Sequence, residues 1–310
     1  MNIKNIKSAV SSQKNVRTND KNLLVDLKLL LKGPVLIANV LPVFTGFWLA
    51  LFVSNASFYE YFDVFVFTII GSTLVMAGAL VLNNWYDADI DAIMSRTKQR
   101  PTVTGNISLK TVLIIGITLT LLGFLFLFFT TVGAIFYAFI GWFTYVFLYT
   151  MWSKRKYTLN TVVGSVSGAV TPLIGWAAIA PSNHIIPIIL FSILFIWQMP
   201  HTFAIAMRKY EEYKAAGVAM LPVVRGFKMT KRQILVYVAC LLPLPFYLHE
   251  LGIVFVAIAT VLNLTWLGIS VYGLFTKDDQ KYAYVSFLYS VNYISILYVF
   301  MILVTMPVFK

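Results

Sequence analysis

Nine apolar stretches, each about the 20 residues that a helix needs to cross hydrocarbon, dominate this chain. They fall at 34–53, 64–84, 111–130, 132–151, 161–180, 185–206, 233–250, 252–274 and 285–308. Hydrophobic residues make up 59% of the 310 and charged residues 12%, against roughly 25% charged in a soluble domain. A soluble chain this apolar has too little polar surface to cover its core, so lipid is the expected solvent. A membrane β-barrel shows short alternating segments instead, and the sequence has none. The fold expected is an all-α integral membrane bundle of nine transmembrane helices over 34–310, after a cytoplasmic segment over 1–33. That segment lacks the apolar core of a cleaved signal. Within it, residues 22–32 place Leu and Val on one side at helical spacing, which predicts an amphipathic helix lying on the membrane surface.

The formal charge of +12 does not point to nucleic acid, because the basic residues sort by side. Lys4, Lys7, Lys14, Arg17, Lys21, Lys28 and Lys32 precede the first span. Others follow even-numbered spans: Arg96, Lys98, Arg100 and Lys110; Lys154, Arg155 and Lys156; Arg208, Lys209, Lys214, Arg225, Lys228, Lys231 and Arg232; Lys277 and Lys281. Only Lys310 lies opposite. Positive loops stay in the cytoplasm, so the N-terminus is expected inside, the C-terminus outside and the span count odd. The other face carries only Glu60, Asp63, His184, His249 and Glu250, so charged chemistry belongs on the cytoplasmic side. The single cysteine, Cys240, excludes an internal disulfide and a cysteine-based metal site.

The sharpest constellation ends the second span. Asn83, Asp87 and Asp91 are spaced i, i+4, i+8, which puts them on one face of a helix. Acidic residues at the edge of hydrocarbon are costly and mark function. Stacked carboxylates repel unless a cation lies between them, and hard oxygen ligands without His or Cys suit magnesium, completed by water and phosphate oxygens. Arg96, Lys98 and Arg100 follow directly and are candidate phosphate ligands.

A second constellation follows the sixth span. Arg208 and Glu212 stand at i, i+4, compatible with a simple helix-surface pair or with a working site beside Lys209. The apolar run Met220–Val224 is too short to span and reads as an element folded against the protein, a candidate lid. After the fourth span, Lys154, Arg155 and Lys156 are topology anchors or diphosphate ligands. His201, after Pro200, is either a packed residue or a haem contact.

At these residues the sequence resembles a known family. Asn83-x-x-x-Asp87-x-x-x-Asp91 resembles the first aspartate-rich motif of the UbiA superfamily of membrane prenyltransferases. The stretch from Asp87 to Pro101, the pair Pro200-His201 and the stretch from Glu212 to Val223 are similar to one branch, the protohaem IX farnesyltransferases or haem O synthases. Nearly the whole chain after residue 30 takes part. Glu212 stands where that branch usually has Asp, and Ala219 where it usually has Pro.

The resemblance implies a UbiA-type bundle around a central cavity open to the cytoplasm, in the plasma membrane. It implies transfer of farnesyl from farnesyl diphosphate to the 2-vinyl group of protohaem IX (haem B), with water addition, giving haem O and diphosphate. On that pattern Asn83, Asp87, Asp91 and Glu212 are catalytic and hold Mg2+. Arg96, Lys98, Arg100, Lys154, Arg208 and Lys209 bind diphosphate, and His201 touches haem. The candidate protein partner is the haem A synthase that would use the product. Two rival readings are a UbiA-type enzyme acting on an aromatic acid or quinone precursor, and a membrane transporter. A transporter would be expected to carry charge near the midplane.

Overall fold

The computed structural model describes residues 23–306, all helices and turns without a strand among them. The basic residues Lys4 to Lys21, and Lys310, lie outside the described residues. The helices are α1 (Leu23–Leu31), α2 (Gly33–Ser54), α3 (Phe62–Tyr86), α4 (Ala88–Asp91), α5 (Pro101–Thr104) and α6 (Leu109–Leu127). Then come α7 (Val132–Phe143), running on as a π-helix over Thr144–Ser153, α8 (Asn160–Ala169), α9 (Thr171–Ala177) and α10 (Ile185–Arg208). The last are α11 (Tyr210–Ala215), α12 (Leu221–Leu241), a 3-10 segment Leu244–Leu251, α13 (Ile253–Phe275) and α14 (Asp279–Val304).

Among the described residues, eight helical segments are long and apolar enough to cross a membrane, not nine. The expected span 161–180 is broken into α8 and α9, each too short alone. Pro172 lies in the first turn of the second piece, where a proline's missing N–H costs nothing. The break serves packing. A Cβ on Gly175 would lie 1.9 Å from the Val43 carbonyl oxygen, and one on Gly46 would lie 2.0 Å from that of Pro172. Helices α2 and α9 therefore touch backbone to backbone, as small residues permit in membranes. The seventh expected span, 233–250, begins earlier, at Leu221, and turns at Gly226, whose φ is +75°. Its first turns carry Lys228, Lys231 and Arg232, and Lys231 is buried, donating to the Thr276 carbonyl and paired with Asp279. The short turn expected near 130–133 is present between α6 and α7.

The largest buried cluster joins α2, α9, α10, α12, α13 and α14 around Trp176, Trp266 and Tyr293. Outward-facing Ile117, Leu121, Phe128, Phe136, Val261 and Leu264 form an apolar coat suited to lipid. The predicted helix near the N-terminus exists as α1. Leu24 and Val25 face outward, while Leu30 is fully buried against Val81 and Val112. Asn84 Nδ2 donates to the Leu30 carbonyl at 2.6 Å, and Asn106 donates to Asp26 at 2.9 Å. These contacts dock α1 on the C-terminal end of α3 and thereby fix Lys32.

Candidate active site

The aspartate stripe survives the end of α3. Asp87 leaves the helix at φ −89°, ψ 6°, yet its N–H reaches Asn83 O and the Asp91 N–H reaches Asp87 O, both at 2.9 Å. The one-face spacing therefore holds, and the exposures of Asn83, Asp87 and Asp91 are 3%, 1% and 3%. Buried carboxylates need partners. Asp91 is paired with Arg100, and Asp87 with Lys154 and, at 3.6 Å, Arg155. Asn83 Nδ2 donates to Asp87 at 2.7 Å and to Thr150 Oγ1 at 3.0 Å, while its oxygen accepts from Lys32 Nζ.

Four basic residues from three segments thus converge on the stripe. Lys32 arrives because its left-handed backbone, φ 50° and ψ 50°, turns the chain between α1 and α2. Burial first, then Arg100 and Lys154, push its ammonium well below the usual lysine range. Lys154 and Thr150 arrive on the π-helix. Its wider turn places Lys154 Nζ over the ring of Tyr149, five residues back, at 5.9 Å. Arg155 grips Asp89 with two bonds of 2.7 Å. Burial pushes Asp89 up, but Arg155 outweighs that and holds it below the usual aspartate range.

Glu212 is tied elsewhere than its spacing suggested. It accepts from Lys209 at 2.9 Å rather than pairing with Arg208. Lys209, and then Ser95 and the Arg96 N–H, hold its carboxyl below the usual range. Its other oxygen, Oε2, is buried with no hydrogen-bond partner. Among the described residues, no three His, Cys, Asp or Glu side chains form one metal-ligand cluster. The donor set still fits magnesium: Asp87 Oδ1 is buried with no hydrogen-bond partner, and a hard ion held by two carboxylates takes its remaining ligands from water and phosphate. Arg96 and Lys98 are exposed on the loop, with no ion pair among the described residues. Arg208 turns away from the stripe, its guanidinium 5.1 Å from the Tyr284 ring and 4.8 Å from that of Phe287. His201 also lies off the stripe, stacked on Trp197 at 4.5 Å.

Beneath the stripe opens a cavity of about 250 Å³. Val75, Met76, Ala79 and Leu80 of α3, Trp142 of α7, Tyr145 and Tyr149 of the π-helix, and Gln198 and Thr202 of α10 line it. Met220 of the expected apolar run, with Val218 before it, is buried against Ile90 and Ala206 and Val223 packs partly there, while Val224 is exposed on the first turn of α12. Asn160, missed as a functional residue, joins that element to the Lys154 loop by donating to Lys154 O at 3.2 Å and Ala219 O at 3.1 Å. Lys32 was legible only as a positive loop residue, Arg155 as an anchor or a diphosphate ligand, and Thr150 carried no signal.

A buried Asn-Asp-Asp stripe ringed by cations above an apolar cavity is the arrangement expected from the motif, and the model of the UbiA prenyltransferase family matches residues 39–292. The chain belongs to the UbiA prenyltransferase family. It is similar to the protoheme IX farnesyltransferase of Oceanobacillus iheyensis, 56% identical over 286 residues, covering 92% of this chain and 91% of that one. The protoheme IX farnesyltransferase of Geobacillus sp. (strain WCH70) is 52% identical over 298 residues, covering 96% of each. Among solved structures, a UbiA homolog from Archaeoglobus fulgidus matches with a TM-score of 0.70 and 18% identity, over 92% of this chain and 99% of that one. The same homolog bound to GPP and Mg2+ matches at 0.67 and 17%, over 89% and 99%. At that identity the UbiA likeness speaks for the fold alone. This UbiA-family chain is thus a multi-pass membrane protein.

Proposed function

We propose that the chain transfers the farnesyl group of farnesyl diphosphate to the 2-vinyl group of haem B, with addition of water, releasing diphosphate and haem O. The observation that carries the prenyl half is the buried stripe of Asn83, Asp87 and Asp91, ringed by Lys32, Arg100, Lys154 and Arg155, directly over the aromatic-lined cavity. The names of the relatives at 52–56% identity support haem B as the acceptor.

In this reading the farnesyl chain lies in the cavity with its diphosphate among the four cations. Those cations neutralise the charge that grows on the leaving group as the allylic C–O bond breaks. Asp87 and Asp91, with Asn83, would hold magnesium, which when bound supplies further neutralisation of the diphosphate. Tyr145, Tyr149 and Trp142 line the space beneath and exclude water from the allylic cation. The vinyl terminal carbon then bonds the farnesyl carbon, and water adds to the inner vinyl carbon and gives up a proton. No covalent enzyme nucleophile is required. The one-sided basic loops support a cytoplasmic N-terminus and a plasma-membrane location, with α1 on the inner surface. That orientation needs an odd number of crossings, so α8 and α9 together make one.

Purified chain in lipid vesicles, given farnesyl diphosphate, haem B and magnesium, is expected to form haem O by mass spectrometry, and to prenylate neither benzoate nor naphthoate acceptors. Asp87→Ala and Asp91→Ala are expected to insert normally and lose haem O formation by about 10²–10³-fold or more. Full activity of purified Asp87→Ala would sink the role given to the stripe.

A further inference from the structure

Two consecutive asparagines of α3 hold the short segment that joins α1 to α2. Asn83, on the stripe, accepts from Lys32 Nζ. Asn84, about 100° farther round the helix, donates to the Leu30 carbonyl at 2.6 Å. Asn84 is fully buried, and its Oδ1 has no hydrogen-bond partner. A carbonyl only accepts, so the amide must present its nitrogen to Leu30 and leave its own oxygen orphaned. A buried orphan is costly, so the side chain is kept for that one N–H. The stripe itself makes no use of it.

Lys32 sits in left-handed backbone, which an L residue adopts only where the surrounding structure holds it. Glycine would take that conformation without strain, yet the glycine stands one position later, at Gly33. The turn therefore exists to deliver the lysine side chain, and α1 is what holds the turn. Leu30 is fully buried against Val81 of α3 and Val112 of α6, with Trp85 and Ile107 beside them. Four residues earlier on α1, the Asp26 carboxylate is 7% exposed and accepts from Asn106. Asn106 and Ile107 follow α5, and α5 begins directly after Arg100, the partner of Asp91. The contacts of α1 thus reach the supports of two of the four cations, Lys32 at the Asn83 end of the stripe and Arg100 at the Asp91 end.

We infer that Asn84, together with the Asp26–Asn106 pair, positions the diphosphate site through Lys32, by holding α1 as a strap beside the stripe. None of the three touches substrate in this assignment; each is a positioning residue. The inference rests on the prenyl diphosphate half of the proposed function and is independent of the acceptor. With an anchor of α1 removed, nothing offsets the strain of the left-handed turn. The turn relaxes, and the Lys32 ammonium leaves Asn83. The site then loses one cation and keeps the other three, so the KM for farnesyl diphosphate rises while the KM for haem B stays unchanged.

The test uses the full chain in lipid nanodiscs with magnesium and farnesyl thiodiphosphate, an unreactive analogue whose binding calorimetry reads without any acceptor. Lys32→Met is expected to weaken binding about tenfold to a hundredfold, and Asn84→Ala and Asn106→Ala about fivefold to tenfold. Asn84→Ala added to Lys32→Met is expected to cost nothing more, because both changes remove the same contact from the site. The exchange Asp26→Asn with Asn106→Asp rebuilds the bond with its ends reversed and is expected to recover wild-type affinity. Wild-type affinity in both alanine variants overturns the strap. So does an Asn84→Ala loss as large without the Lys32 side chain as with it, which is what a merely structural role would give. Should Asn84→Ala fail to fold, the exposed Asn106 and the exchange decide, and an exchange that recovers nothing overturns the strap. Absence of analogue binding by the wild-type chain overturns the proposed function instead.

Discussion

Lys154 reaches across 67 positions of sequence to pair with Asp87, a carboxylate that is 1% exposed. The other oxygen of Asp87 is buried and has no hydrogen-bond partner. A charge so placed is held for a ligand as much as for the fold. Lys154→Met is expected to lower kcat/KM for farnesyl diphosphate by about 10²–10³-fold. Lys154→Arg is expected to recover only part of it, because a guanidinium does not reproduce a compact ammonium. Steady-state kinetics on purified variants decide this, with thermal unfolding in detergent to separate chemistry from the cost of leaving Asp87 less well paired.

The cavity's depth predicts chain-length preference. Ser72 lines the cavity eleven residues before Asn83 on α3, about 16 Å farther into the membrane, a distance of the order of an extended farnesyl chain. Ser72→Leu is expected to cut kcat/KM for farnesyl diphosphate about tenfold while sparing geranyl diphosphate, since methylene-scale changes in an apolar pocket discriminate by such factors. An unchanged ratio between the two substrates would place the chain's end elsewhere.

The contact of α2 with α9 predicts a stability effect far from the chemistry. The atoms a Gly175 Cβ would strike are backbone, Val43 O at 1.9 Å and Phe47 N at 2.7 Å, and cannot swing aside. Gly175→Ala is expected to cost about 1–3 kcal/mol or more and lower the unfolding temperature in detergent. Gly268, with nothing within 4 Å of its Cβ position, supplies the control: Gly268→Ala is expected to be neutral or mildly stabilising.

The Asp89–Arg155 pair predicts a pH dependence of known sign. Asp89 is held below the usual aspartate value, so the pair's stabilisation is fully present above the unfolded pKa of about 3.9. It declines as the pH falls from there through the lowered folded value. The difference in unfolding temperature between wild type and Asp89→Asn is therefore expected to be constant from pH 5 to 8 and to shrink below about pH 4. A difference that grows in acid would reverse the assignment.

The pair that spacing suggested between Arg208 and Glu212 does not form, and the reason is local. Arg208 ends α10, and Lys209 takes the non-helical φ of −111° and ψ of 28° before α11 begins. The i, i+4 rule needs an unbroken helix, so Glu212 turns to Lys209 and Arg208 to the rings of α14. The same rule succeeded for Asn83, Asp87 and Asp91 because both backbone bonds across Asp87 persist.

The chain's preference for lipid, eight of its nine expected crossings and the aspartate stripe were determined by the sequence itself. Each depends on the composition of about 20 consecutive residues or on spacing within one helix. Tertiary structure alone decided the break before Pro172 and the convergence of Lys32, Arg100, Lys154 and Arg155 on one buried stripe. Pro172 lies in an apolar run that reads as continuous, and its cause, the backbone contact at Gly46 and Gly175, lies across the bundle. Lys32 looks like any basic loop residue, and Arg155 like an anchor as much as a ligand, until a left-handed turn and a π-helix aim them inward. The sequence sorted the charges into the loops after alternate spans; packing decided which of them surround the carboxylates and which, like Arg208, lie against the rings of α14.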